Sequence, residues 1–171
     1  MRRLILLLLV ALGTGEAAAQ HQHGNVTGGA MSGSGAKAPE PFTAAPAFAP
    51  DGALWLVRPA GDRIVVMRST DLGKSFAPPV EVTREPMNLD WGPDARARLV
   101  FAPNGDMVVT FGIFQDRQFN GRAFFARSTD GGASFTPPRP ITADTTSQRF
   151  EIAAVDPKGR VFAAWLDKRH G

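Results

Sequence analysis

Ser69-Thr70-Asp71-Leu72-Gly73-Lys74-Ser75-Phe76 returns 59 positions later as Ser128-Thr129-Asp130-Gly131-Gly132-Ala133-Ser134-Phe135. Each copy is trailed by Pro-Pro, at Pro78-Pro79 and Pro137-Pro138, and then by a short Val-Thr or Ile-Thr strand. The chemistry of the pattern is that of a turn staple. Serine and aspartate oxygens can accept backbone N–H bonds within the loop. The glycine takes a conformation costly for other residues, and the phenylalanine folds back between strands.

Working outward, a second element repeats in register with the first. Ala47-Phe48-Ala49-Pro50-Asp51-Gly52-Ala53-Leu54-Trp55-Leu56-Val57 returns as Val100-Phe101-Ala102-Pro103-Asn104-Gly105-Asp106-Met107-Val108-Val109, and again from Ala154 to Trp165 around Asp156-Pro157-Lys158-Gly159. The turn glycines Gly52, Gly105 and Gly159 are spaced by 53 and 54 positions. Each copy reads as strand, tight turn, strand, because Asp-Gly and Asn-Gly supply the backbone angles a hairpin needs. Two motifs in common register identify a repeat architecture. The short alternating apolar runs between them give many strands and no amphipathic helix.

The pattern Ser-x-Asp-x-Gly-x-Ser-Phe resembles the Asp-box, or bacterial neuraminidase repeat, of sialidases and related propellers. The structural part of that resemblance rests on Ser69, Asp71, Gly73, Ser75 and Phe76, and on Ser128, Asp130, Gly132, Ser134 and Phe135. It implies an all-β fold, a β-propeller of sialidase type with six blades when complete. With four strands per blade, blade 1 is predicted over about 45–83, blade 2 over about 96–142, and an incomplete blade 3 from about 150. About two and a half blades are expected, so the remaining blades of a longer chain are the expected partners of this piece.

Composition excludes several classes. The 19 Lys+Arg against 16 Asp+Glu include Arg2 and Arg3, which form the charged start of an apparent secretory signal. Leu4 to Leu12 are its apolar run, and Ala17-Ala18-Ala19 the small-residue cleavage site. Without those two arginines the balance is 17 to 16, which leaves no basic stripe for nucleic acid. The apolar run is too short to span a membrane, so a secreted or periplasmic protein with no membrane span is expected. Residues 20–44, rich in Gly, Ala, Ser and Pro, read as a flexible leader. There is no cysteine, hence no disulfide framework. His21-Gln22-His23 has no accompanying carboxylate cluster, and no metal or cofactor is expected. Asn25-Val26-Thr27 fits a glycosylation sequon. Trp55, Phe101, Phe111 and Trp165 alternate with apolar neighbours and are assigned to the core.

The unusual charged residues fall at the end of the strands opposite the repeated turns. Arg96 and Arg98 open the inner strand of blade 2 at period two, and Arg149 and Glu151 open that of blade 3. Asp62-Arg63, Asp116-Arg117 and Asp167-Lys168-Arg169 occupy corresponding links between second and third strands. Inner strands line the channel of a propeller, so Arg96, Arg98, Arg149 and Glu151 are expected to converge there. Asp94, Asp116 and Arg117 stand nearby. Such a cluster suits an anionic ligand, because the guanidinium fork matches a carboxylate in two hydrogen bonds.

The family resemblance implies an acidic glycan, held by three arginines and hydrolysed with an Asp acid/base and a Tyr/Glu nucleophile. This chain has no tyrosine and no Phe-Arg-Ile-Pro motif, and it offers Asp90, Asp94 and Asp116 for the acid/base role by location alone. Three readings follow: a sialidase-like glycosidase, a non-catalytic binding propeller, or a scaffold whose arginines pair with Asp94, Glu151 and Asp167.

Overall fold

The computed structural model describes residues 43–168. The signal segment, His21 to His23, the sequon at Asn25, the leader up to residue 42 and Arg169 lie outside the described residues.

The chain is all-β, and its strands follow one another as antiparallel meanders. β1 (Ala45–Phe48), β2 (Leu54–Ala60), β3 (Arg63–Ser69) and β4 (Val80–Glu81) form the first sheet in chain order. The second contains β5 (Leu89–Asp90), β6 (Arg98–Phe101), β7 (Met107–Phe114), β8 (Gly121–Ser128) and β9 (Arg139–Pro140). β10 (Gln148–Val155) and β11 (Val161–Asp167) pair as a third. Two four-layered blades followed by the first two strands of a third make a partial β-propeller.

The burial patterns follow from that stacking. β2 alternates strictly, with Trp55, Val57 and Pro59 buried, because one of its faces meets blade 2. β7 is buried over Val109–Gly112 on both faces, since it lies between sheets. Met107, Val109 and Phe111 join Trp55, Val57 and Val66 in the core between blades 1 and 2. Val108 and Thr110 turn toward Val161, Ala163 and Trp165 of blade 3. Burying a side chain the size of Phe111, 1% exposed, stabilises by about 1.5–3 kcal/mol.

The two repeated turns have the same wiring. In the first, Ser69 Oγ donates to Asp71 Oδ1 at 2.7 Å, Gly73 N donates to Ser69 Oγ at 2.8 Å, and Ser75 donates through N (2.9 Å) and Oγ (2.5 Å) to the Asp71 carboxylate. The second repeats this at 2.8, 2.9, 3.0 and 2.5 Å through Ser128, Gly132, Ser134 and Asp130. The Ser75 and Ser134 donors, more than any other cause, bring the Asp71 and Asp130 carboxyls down to about 2. Phe135 is buried in the core, whereas Phe76 is half-buried. The second turn also locks blade to blade. A Cβ on Gly132, at φ +85°, would lie 2.5 Å from the Trp55 ring of blade 1.

The turns differ at two positions, Leu72/Gly131 and Lys74/Ala133, and the first of these falls on left-handed backbone. Gly131 has φ 69° in the second, while its counterpart Leu72 has φ 57° and leaves its side chain 76% exposed. A left-handed residue with a Cβ costs about 1–2 kcal/mol, and glycine returns roughly 0.5–1 kcal/mol of that through the freedom of the unfolded chain. Leu72→Gly is therefore expected to stabilise by up to about 1 kcal/mol. A urea midpoint below wild type would show that the exposed leucine makes a contact worth more than its strain.

Candidate functional site

The inner strand of blade 2 is interrupted. Asp90 pairs with Gly112 and Arg98 with Thr110, so residues 91–97 occupy the place of the one residue that would face Phe111. Gly92 and Pro93 break the strand, and Gly92 N donates to Ala95 O at 2.9 Å to close the excursion. Two sequence expectations change here. The stretch left between the expected blades 1 and 2, residues 84–95, contains strand of its own, because Leu89–Asp90 joins the second sheet. Arg96 does not share a strand face with Arg98, because the strand resumes only at Arg98.

Blade 3 enters with its own irregularity. β10 pairs Arg149 with Leu166 and Ile152 with Ala164, leaving Phe150 and Glu151 opposite Trp165 alone. This is a β-bulge, and Phe150 adopts φ 57° in it. Glu151 is buried at 6% exposure. The approach of β10 to β8 depends on Gly121, where a Cβ would lie 2.5 Å from both the Gln148 carbonyl oxygen and Arg149 Cγ. Gly121 N donates to Ser147 Oγ at 3.1 Å across the same junction.

These features bring three acid and base groups together. Arg149 Nε donates to Asp90 Oδ2 at 2.7 Å and Nη2 to Oδ1 at 3.0 Å. The Asp90 side chain is 4% exposed and that of Arg149 28%. Glu151 Oε2 and Asp90 Oδ2 both lie within 4 Å of the point where Gly112 would carry a Cβ. The missing side chain of Gly112 thus makes room for two carboxyl groups beside one another.

Burial pushes the Glu151 carboxyl up to about 7; its own backbone N–H opposes this, the Asp90 charge adds to it, and the Arg98 charge opposes it. The Asp90 hydrogen bonds raise Arg149 further above its ordinary value, against some loss from burial. The site therefore contains a carboxyl that changes charge near neutrality beside a carboxylate held in a bidentate ion pair. Such an arrangement suits proton transfer.

The other sequence candidates are placed differently. Arg96 and Asp94 lie exposed on the excursion, and Arg117 is exposed in the β7–β8 turn. Asp116 caps its own loop, accepting from Gln118 N at 2.9 Å, Asn120 N at 3.1 Å and Asn120 Nδ2 at 2.8 Å. The Asn120 donors are the main cause lowering the Asp116 carboxyl, and Lys168 adds to them. Arg149, expected as a free clamp, has its fork engaged by Asp90, a partner the sequence reading had not given it. The expected partners in the scaffold reading were Asp94, Glu151 and Asp167.

No protein-family model and no curated protein matches the chain. Among solved structures it is similar to an endo-arabinase from Bacteroides thetaiotaomicron, at 16% identity and a TM-score of 0.48. The match covers 71% of this chain and 49% of that one, so the chain spans about half the length of the arabinase.

A cavity of about 450 Å³ lies between β7 and β8 on one side and β11 on the other, and neither Asp90 nor Glu151 lines it. Phe125, Ile141, Val161 and Trp165 line it, with the Asp106–Arg127 ion pair at its edge. It is a gap between the second and third sheets. Among the described residues no helix is long and apolar enough to cross a membrane, and no three His, Cys, Asp or Glu side chains group as metal ligands.

Proposed function

We propose that the protein is a secreted, glycan-directed hydrolase of propeller type, sialidase-like in its preference for acidic sugars. The observation that carries this is the buried Glu151–Asp90 pair, braced by Arg149 and facing Arg98. Glycoside cleavage needs a carboxylic acid to protonate the leaving oxygen, and Glu151 is the described carboxyl that burial keeps protonated near neutral pH. Asp90, fixed by Arg149, acts as a positioning residue that favours the protonated form of Glu151. Arg98 and Arg96 are the cations this proposal assigns to an acidic substituent.

The test is turnover of fluorogenic glycosides by the full-length protein. The panel runs from a sialoside and a uronide to neutral hexosides and an arabinofuranoside. Cleavage of an acidic substrate is expected, with KM raised at least tenfold in an Arg96→Ala/Arg98→Ala variant. Cleavage of neutral glycosides alone would remove the acidic preference. No turnover of any glycoside at high enzyme concentration would overturn the hydrolase.

A further inference from the structure

Beside the carboxyl pair stands a set of aromatic side chains that packing does not account for. Among the described residues, three with a Cβ have positive φ, and two of them are phenylalanines at this end of the blades: Phe119 at 60° and Phe150 at 57°. A bulky residue in that region is strained, and the usual compensation, burial of the ring, is missing. Phe119 is 63% exposed and Phe150 36%. Backbone strain that displays apolar groups to water is the kind of cost retained at binding sites.

The rings connect to the site through Arg149. Phe119 meets Phe114 edge-on, with centroids 5.2 Å apart. The Arg149 guanidinium carbon lies 5.1 Å from the Phe114 centroid and 4.7 Å from that of Phe150, and the same guanidinium holds Asp90. Trp91, 45% exposed, follows Asp90 directly in the chain. The run Phe119, Phe114, Arg149, Phe150 thus leads to the acid pair, with the Arg149 guanidinium between two of its rings.

We propose that Phe119 and Phe150, with Trp91, form a stacking platform for successive sugar rings, so that the ligand is an oligosaccharide chain rather than a single terminal sugar. This rests on the glycan-directed reading of the site. A pyranose presents an apolar face of C–H groups and a rim of hydroxyls. The negative face of an aromatic ring takes the first, and side chains such as Arg149, Asp116 and Asn120 suit the second.

The test separates display from structure. Asparagine tolerates left-handed backbone, so Phe119→Asn/Phe150→Asn keeps the local conformation and removes both rings. The full-length wild type is screened on an array of acidic and neutral oligosaccharides, and its best ligand and that ligand's terminal monosaccharide are titrated by calorimetry. The oligosaccharide is expected to bind at least tenfold tighter than the monosaccharide. The double variant is expected to lose at least tenfold of that affinity with a melting temperature equal to or above wild type. Absence of binding to any array member, unchanged affinity in the variant, or affinity lost together with several degrees of melting temperature would each overturn the platform. Ring-dependent binding without turnover of any glycoside would leave the platform standing and overturn the hydrolase alone.

Discussion

Glu151→Gln is expected to raise stability at pH 8 while removing turnover. In the folded protein this carboxyl titrates near 7, against 4.5 for an ordinary glutamate, chiefly because it is buried. The native state therefore binds the proton more tightly than the unfolded chain. The stabilisation is full below about pH 4.5, shrinks as the pH rises, and is lost once it passes about 7. The displacement corresponds to something on the order of 3 kcal/mol. Glutamine keeps the shape and carries no charge at any pH, so the variant loses this slope and should be the more stable protein at pH 8. It also lacks a transferable proton, and loss of a general acid costs typically 10²–10⁴-fold in kcat. Urea unfolding at pH 5 and pH 8, with turnover measured beside it, checks both halves. A wild-type stability independent of pH across that range would reject the buried, titrating Glu151. An active glutamine variant would reject Glu151 as the proton donor.

Asp90→Ala is expected to destabilise by about 2–3 kcal/mol. Breaking a buried ion pair costs about 3–5 kcal/mol when the remaining charge is stranded, and the 28% exposure of Arg149 lets water recover part of this. Asp90 and Arg149 are 59 residues apart in sequence, and their pairing joins the inner strands of blades 2 and 3. The loss should therefore show as weakened docking of β10. The double-mutant cycle with Arg149→Ala should return a coupling of about 1–2 kcal/mol. Asp94→Ala, on the exposed excursion, should change stability by less than about 0.5 kcal/mol. Equal effects of the two aspartates would mean that the bidentate pair adds nothing beyond a surface charge. Removing Asp90 also takes away a negative neighbour of Glu151, so any pH-rate limb belonging to Glu151 should move to lower pH.

The site reading changed more than the fold reading. Convergence of Arg96, Arg98, Arg149 and Glu151 at one end of the inner strands was the expectation from strand counting and period-two alternation. What Arg149 touches did not follow from these, because its partner Asp90 lies in the preceding blade and pairs with it only after the two sheets stack. Asp90 was visible as one carboxylate among three. Nothing local marked it above Asp94 and Asp116, which end respectively on an exposed loop and in a self-capping turn. Gly112 and Gly121 also read as ordinary strand glycines until the neighbouring sheet occupies the space where a Cβ would stand.

The sequence by itself determined the repeated hairpins, the two serine-aspartate turns and the all-β class. Each of these is written in stretches of about a dozen residues or fewer, where hydrogen-bond donors, acceptors and glycine conformations act locally. The tertiary structure alone decided that the inner strand of blade 2 leaves its sheet for seven residues, that β10 bulges at Phe150, and that Asp90 takes Arg149 from the solvent. The physical reason is that burial, and with it the proton affinity of Glu151, depends on which surfaces of successive blades meet. Those contacts are made between residues tens of positions apart, which no local pattern encodes.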